Sequence, residues 1–369
     1  MQLLKFELSK IFKQIIIYIT FVFLVFLSSS YISNFDKNHE MKEDIYKEWT
    51  GGITEEKLVK SQNEYEKLIK IVDARSVESG QRFTELEGIK MGLFEEIGFV
   101  RNLEQNSFER LKKLENENNY NTELEAKMIK NLELDYFAYN TAPREIIDYT
   151  GTFSFLITGA MILIGISSIY TREYSSGVDN YILSSKKGRR TLVWAKIGAS
   201  LIYTFIVVFT WETINLLTKS SILGTSGWKT PMQQVFKYSD SPYGLNMLEF
   251  HSIQLGIHLI TAISFALFVI LVSSLCKNSL ISFFVSGAVF AAPYMIIEMV
   301  PMPYWLFELF QFTFVHIMRA EFLFANFKTV NFFGQPILYP LVAVTLMIVL
   351  SVIFITTNFK LMANKEVSS

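Results

Sequence analysis

The chain has 369 residues, half of them hydrophobic and 15% aromatic, with a formal net charge of −1 and a single cysteine, Cys276. That charge, without a basic tail or a basic–aromatic motif, excludes a nucleic-acid binder, and one cysteine excludes an intramolecular disulfide. The apolar residues gather in runs of roughly 20, the length a helix needs to cross about 30 Å of hydrocarbon. The expected fold class is therefore all-α: a polytopic membrane protein with six transmembrane helices and a helical extracellular domain. The short alternating segments of a β-barrel do not occur.

Residues 1–14 place Leu4, Leu8, Ile11 and Phe12 on one helical face, as in a helix lying at a membrane surface. The first apolar run, 15–32, follows Lys5, Lys10 and Lys13. It reads as a retained anchor rather than a cleaved signal peptide, being longer than an ordinary signal core and followed by further spans. Residues 33–149 hold 25 acidic and 17 basic residues, a net of −8. Apolar positions recur there at helical spacing: Leu58, Tyr65, Leu68 and Val72, then Leu86, Ile89, Leu93, Ile97 and Val100, then Leu124, Met128 and Leu132. With breaks expected at Gly51–Gly52, Ser79–Gly80 and 116–121, about three amphipathic helices follow.

The remaining spans are expected at 150–170, 191–217, 251–275, 279–300 and 337–357, within a membrane domain covering 150–357. The Gly- and Ser-rich second run permits close helix contact. Residues 301–336 are aromatic and polar, and 358–369 form a tail. Lys5, Lys10 and Lys13, the basic loop after the second run (Arg172, Lys186, Lys187, Arg189 and Arg190, with Lys196 just beyond) and Lys277 all fall on one side if six spans are counted. The positive-inside rule then puts both termini in the cytoplasm and 33–149 outside a cell membrane.

Loop 171–190 is the most informative segment. A short apolar element containing Tyr181, Ile182 and Leu183 lies between Gly177 and Gly188, with Glu173 at the membrane boundary. It can press into a groove on a cytoplasmic partner; an ordinary positive-inside loop needs no partner, and composition does not separate the two. The pattern Glu173-x-x-x-Gly177, then a leucine, a small polar patch, Arg189–Arg190 and Lys196, resembles the signature of ABC-2 type permeases, the membrane subunits of type V ABC exporters. The layout of nearly the whole chain is similar, except that 33–149 replaces a short loop. The resemblance implies a coupling helix in 171–190 docking on a separate ABC ATPase, outer-leaflet helices in 301–336, and pairing with a second permease as homodimer or heterodimer. No cofactor is expected on this chain: G-x-x-x-x-G-K-[ST] is absent, so ATP and Mg would bind the ATPase. The lysine- and asparagine-rich composition fits a low-GC Gram-positive source, and with it a peptide antibiotic, toxin or lipid-like cargo.

Glu212 in the third run, His258 in the fourth and Glu298 near the end of the fifth are intramembrane ionisable groups and so candidate sites, although Glu212 and Glu298 lie close enough to an interface to reach water. Catalysis is not expected. Glu95–Glu96 and Arg101 miss the spacing of an intramembrane protease motif, and neither H-E-x-x-H nor G-x-S-x-G occurs. A receptor or scaffold whose outer domain binds a ligand is the alternative to a transporter.

Overall fold

The computed structural model describes residues 2–30, 38–79, 83–117, 119–177 and 188–365. Five helices among them are long and apolar enough to cross a membrane: Ser154–Ser175, Arg189–Leu223, Met247–Leu275, Ser279–Met299 and Tyr339–Asn364. The first apolar run forms only 16 helical residues, α2 (Ile15–Ser30), too short alone. Together with α1 (Gln2–Phe12), from which it turns by 58°, it makes a bent pair that brings the number to six. The protein is thus mostly helical and carries the apolar helices of a membrane-embedded chain.

Element boundaries depart from expectation where local chemistry overrides hydropathy. The second run does not begin at 150. A separate helix, α7 (Thr141–Thr152), precedes α8 (Ser154–Ile166), and the span continues through a break at 167–170 into α9 (Thr171–Ser176). The third runs far past 217, as the 36-residue α10 (Gly188–Leu223), because no breaker occurs before Gly224, whose φ of +82° ends the helix as a left-handed glycine does. At about 1.5 Å per residue α10 is roughly 54 Å long. The fourth helix, α11 (Met247–Leu275), starts early because Asn246 and Glu249 form a reciprocal capping box. α12 (Ser279–Met299) follows Asn278, which caps it through Leu280 N.

Segment 301–336 is not wholly helical. It holds three short helices, α13 (Tyr304–Phe310), α14 (Phe314–Arg319) and α15 (Glu321–Phe324). A hairpin of β3 (Thr329–Phe332) and β4 (Gln335–Leu338) follows and leads directly into α16 (Tyr339–Asn364). Phe333 and Gly334 form its two-residue loop, both at positive φ, the geometry that suits the twist of a tight hairpin.

α11 is the central post, contacting α8, α10, α12, α14 and α16. Ala262, Phe265, Ala266 and Val269 are fully enclosed along it. Small residues on α8 allow close approach, as the Gly-rich run implied. A Cβ at Gly159 would lie 2.4 Å from the Phe290 ring, and one at Gly165 would lie 2.5 Å from Tyr203. By contrast only 17% of the apolar window of α12, and the same share of α16, is covered, so these helices present most of their apolar surface outward.

The 33–149 segment has its own small core of Tyr46, Trp49, Leu58, Leu93, Ile97, Val100, Phe137 and Tyr139. Its principal helices are α3 (His39–Lys47), α4 (Glu55–Ser79), α5 (Glu85–Leu114) and α6 (Thr122–Lys130). The expected break at Gly51–Gly52 is a two-residue strand, β1, paired antiparallel with β2 (Tyr136–Phe137). A Thr84–Glu87 capping box starts α5. Arg75 on α4 forks onto the same Glu87 carboxylate at 2.8 and 2.7 Å, tying the two helices together.

Candidate functional site

α9, at the root of the basic loop, is built around an interruption. The α8 helix stops at Ile166 and the chain turns before α9 resumes. A break between apolar helices frees backbone groups that must find new partners. The Ile169 carbonyl accepts a hydrogen bond from Lys196 Nζ at 2.6 Å, and the Tyr170 N–H donates to Ser273 Oγ at 3.1 Å.

Lys196 is completely enclosed. Besides Ile169, its ammonium donates to Glu173 Oε1 at 2.8 Å and Glu7 Oε2 at 3.1 Å, so all three of its donors are used. It also lies 4.9 Å from the centre of the Tyr170 ring. Lys10 on α1 completes the cluster, at 2.7 Å from Glu173 Oε1 and 2.8 Å from Glu7 Oε1. Among the described residues two cations meet two carboxylates here, the pairing that burial of charge demands. Removing one partner from such a cluster costs about 3–5 kcal/mol, because it strands another charge.

Two further bonds fasten this region. Tyr170 donates to Asn358 Oδ1 on α16 at 2.9 Å, and Tyr174 donates to the Ser274 carbonyl on α11 at 3.2 Å. The helix entering the loop is therefore linked by polar bonds to α1, α10, α11 and α16. The face of Leu4, Leu8, Ile11 and Phe12 recognised in α1 packs into the main core, with Leu4 beside Gly198 of α10. Whatever else it does, α1 is a packed element of the bundle.

Glu173 and Lys196, singled out from sequence as loop residues, thus face each other in the interior. Gly177 ends α9 at φ +68°, a left-handed conformation that favours glycine. Arg189 donates to the Ala363 carbonyl at the end of α16, and Arg190 is exposed. Tyr181, Ile182 and Leu183 lie outside the described residues.

The intramembrane candidates separate. Glu298 is exposed near the end of α12. His258 is fully buried and forms a directed chain: Trp211 Nε1–H donates to Thr158 Oγ1 at 3.0 Å, and Thr158 Oγ1 meets His258 Nε2 at 2.8 Å. His258 Nδ1 is 3.0 Å from the Met318 carbonyl. A carbonyl only accepts, so Nδ1 carries the proton, and Thr158 donates to Nε2. These bonds pin α14 and α8 to α11. Glu212 pairs with His251, with Oε1 2.9 Å from Nε2 and both residues buried. Glu212 Oε2 and His251 Nδ1 have no hydrogen-bond partner among the described residues.

Sequence reasoning missed Glu7, Lys10, Thr158, Trp211 and His251 as members of these groups. The signal for Glu7 was present: a carboxylate on the otherwise apolar face of α1, three residues from Lys10. Among the described residues, no group of three or more His, Cys, Asp or Glu side chains could hold a metal ion. No protein-family model, curated protein or solved structure matches the chain.

Proposed function

We propose that the chain is the permease subunit of an ATP-driven exporter of the ABC-2 type, powered by a separate ABC ATPase and paired with a second permease. In this reading it has six spans and cytoplasmic termini, with 33–149 outside the cell. Loop 171–190 docks on the ATPase, and the chain itself catalyses nothing. The cargo is amphipathic: a peptide antibiotic, a toxin or a lipid-like molecule.

The observation that supports this reading is the wiring of α9. A loop serving only to connect two spans needs no buried ionic anchor. Here the residue four before Gly177 is bonded to Lys196 and, through it, to Glu7, while Tyr170 and Tyr174 reach α16 and α11. A displacement of the loop would be delivered to four helices at once. Switching of this kind needs a bistable packed element that a partner can bias.

The test is co-expression and co-purification with a candidate ABC ATPase from the same genome, followed by ATP hydrolysis in the reconstituted complex. Binding and cargo-stimulated hydrolysis are expected. Deleting 178–187 should abolish association while leaving the chain folded. Association that survives this deletion would overturn the assignment of the loop.

A further inference from the structure

At the basic end of the bundle, a cleft of about 950 Å3 opens between the start of α10 and the end of α16. It lies within the size range of ligand clefts, about 300–1,000 Å3. Its walls are apolar, with Trp194 and Phe359 ring centres 5.0 Å apart and Ile355 beside them. Its rim is cationic. Arg190 and Lys360 are both exposed there, and among the described residues neither makes an ion pair and no carboxylate lines the cleft. The Arg189–Ala363 bond, at 3.0 Å, clasps the two helices together at this end.

We infer that this cleft binds an anionic phospholipid, its phosphate held by Arg190 and Lys360 and an acyl chain lying along Trp194, Phe359 and Ile355. The argument is one of charge and surface together. A free phosphate would use the two cations but gain nothing from an aromatic wall. A zwitterionic lipid would use the wall but bring an ammonium to the cationic rim of Arg190 and Lys360, where no carboxylate among the described residues receives it. Basic clefts between membrane helices at the interface are suited to anionic headgroups, each nearby cation adding to the attraction. The cleft adjoins both sides of the α9 wiring, since α10 carries Lys196 and α16 carries Asn358. A lipid seated there would brace these helices against each other.

Trp194, 54% exposed at the cleft, gives a direct readout. The purified chain in neutral detergent is titrated with brominated phosphatidylglycerol or brominated phosphatidylcholine, and tryptophan quenching is followed. Saturable quenching by the anionic lipid at lower concentration than by the zwitterionic one is expected, and Trp194→Phe should remove that component. The double variant Arg190→Gln/Lys360→Gln should weaken the anionic lipid roughly thirtyfold, the effect of two surface cations, and leave the zwitterionic titration unchanged. Both are exposed charges, so folding should persist, checked by an unchanged melting temperature without added lipid. Equal affinity for the two lipids, or an unaltered double variant, would overturn the proposal. Full displacement by millimolar inorganic phosphate would instead make this a free-anion site. Protection of Trp194 by a bound ATPase, with no lipid quenching of the chain alone, would make it a protein-docking face and refute the lipid assignment. The measurement needs no ATPase for its positive result, so it stands or falls separately from the exporter reading.

Discussion

Glu173 and Lys196, separated by 22 residues that include the loop from 174 to 190, meet at 2.8 Å in a buried site. Their contact closes the loop at its base, and Glu7 holds the lysine from the other side. Lys196→Met should lower stability by about 3–5 kcal/mol, because it removes the enclosed ammonium that both Glu7 and Glu173 bond. Combined with Glu173→Gln, the loss should be smaller than the sum of the single effects. Thermal unfolding in detergent measures both, and strict additivity would contradict the cluster.

The close contacts of α8 make a steric prediction. Gly159→Ala and Gly165→Ala must each displace an aromatic ring, an overpacking cost of about 1–3 kcal/mol. Gly88, an exposed glycine inside α5 with nothing within 4 Å of its missing Cβ, is the control: its alanine variant should be neutral or up to about 1 kcal/mol more stable. Melting temperatures of the three variants should divide accordingly.

Thr158 is the hinge of the Trp211–Thr158–His258 chain. Thr158→Val preserves shape but strands an indole N–H and an imidazole nitrogen in the interior. A loss of about 1–3 kcal/mol per stranded group is expected. Thr158→Ser, which keeps the hydroxyl, should recover most of it. If valine and serine behave alike in a denaturation series, the chain carries no energy.

The acidic segment should respond to pH through Glu87. The Arg75 guanidinium, followed by the Thr84 cap, pulls this carboxyl down from 4.5 to about 2. A lowered folded-state value means the pair stabilises fully above about pH 4.5, and that contribution is lost as pH falls from there towards 2. Hydrogen exchange of α4 and α5 in the full chain should therefore accelerate over that window, and Glu87→Gln should show the faster exchange already at neutral pH.

Gly177 gives a backbone test. Its φ of +68° costs an ordinary L-residue about 1–2 kcal/mol. Gly177→Val should disturb the exit from α9 more than Gly177→Asn, since asparagine tolerates the left-handed region. Protease accessibility of the following loop would report the difference.

Much of this was legible from the sequence. Hydropathy located the long helices because lipid-length apolar runs have few other solutions. The 3.6-residue spacing of Ile89, Leu93, Ile97 and Val100 identified the buried side of α5. Boundaries were less legible, since Asn246–Glu249 and Gly224 set helix ends that hydropathy does not register. The hairpin 329–338 was not legible: the resemblance implies short helices over 301–336 and hydropathy starts the sixth span at 337, while the strand pairing is set by the Phe333–Gly334 turn. At the site, Glu173 and Lys196 were visible through their motif. Glu7 was signalled locally, as a carboxylate on the apolar face of α1, but its bond to Lys196 and that of His251 to Glu212 were not, because pairing across 189 and 39 residues is a property of packing.

The unbroken α10 has a mechanical consequence. Lys196 sits near one end, in the ionic cluster, and Lys219 near the other, bonded to Glu145 of α7 at 3.0 Å. The two anchors are about 35 Å apart along one rod. With no intervening joint, a tilt of about 10° at the Lys196 end would carry the far anchor sideways by roughly 6 Å. The acidic unit would then move as the tip of a lever whose handle is buried at the base of the basic loop.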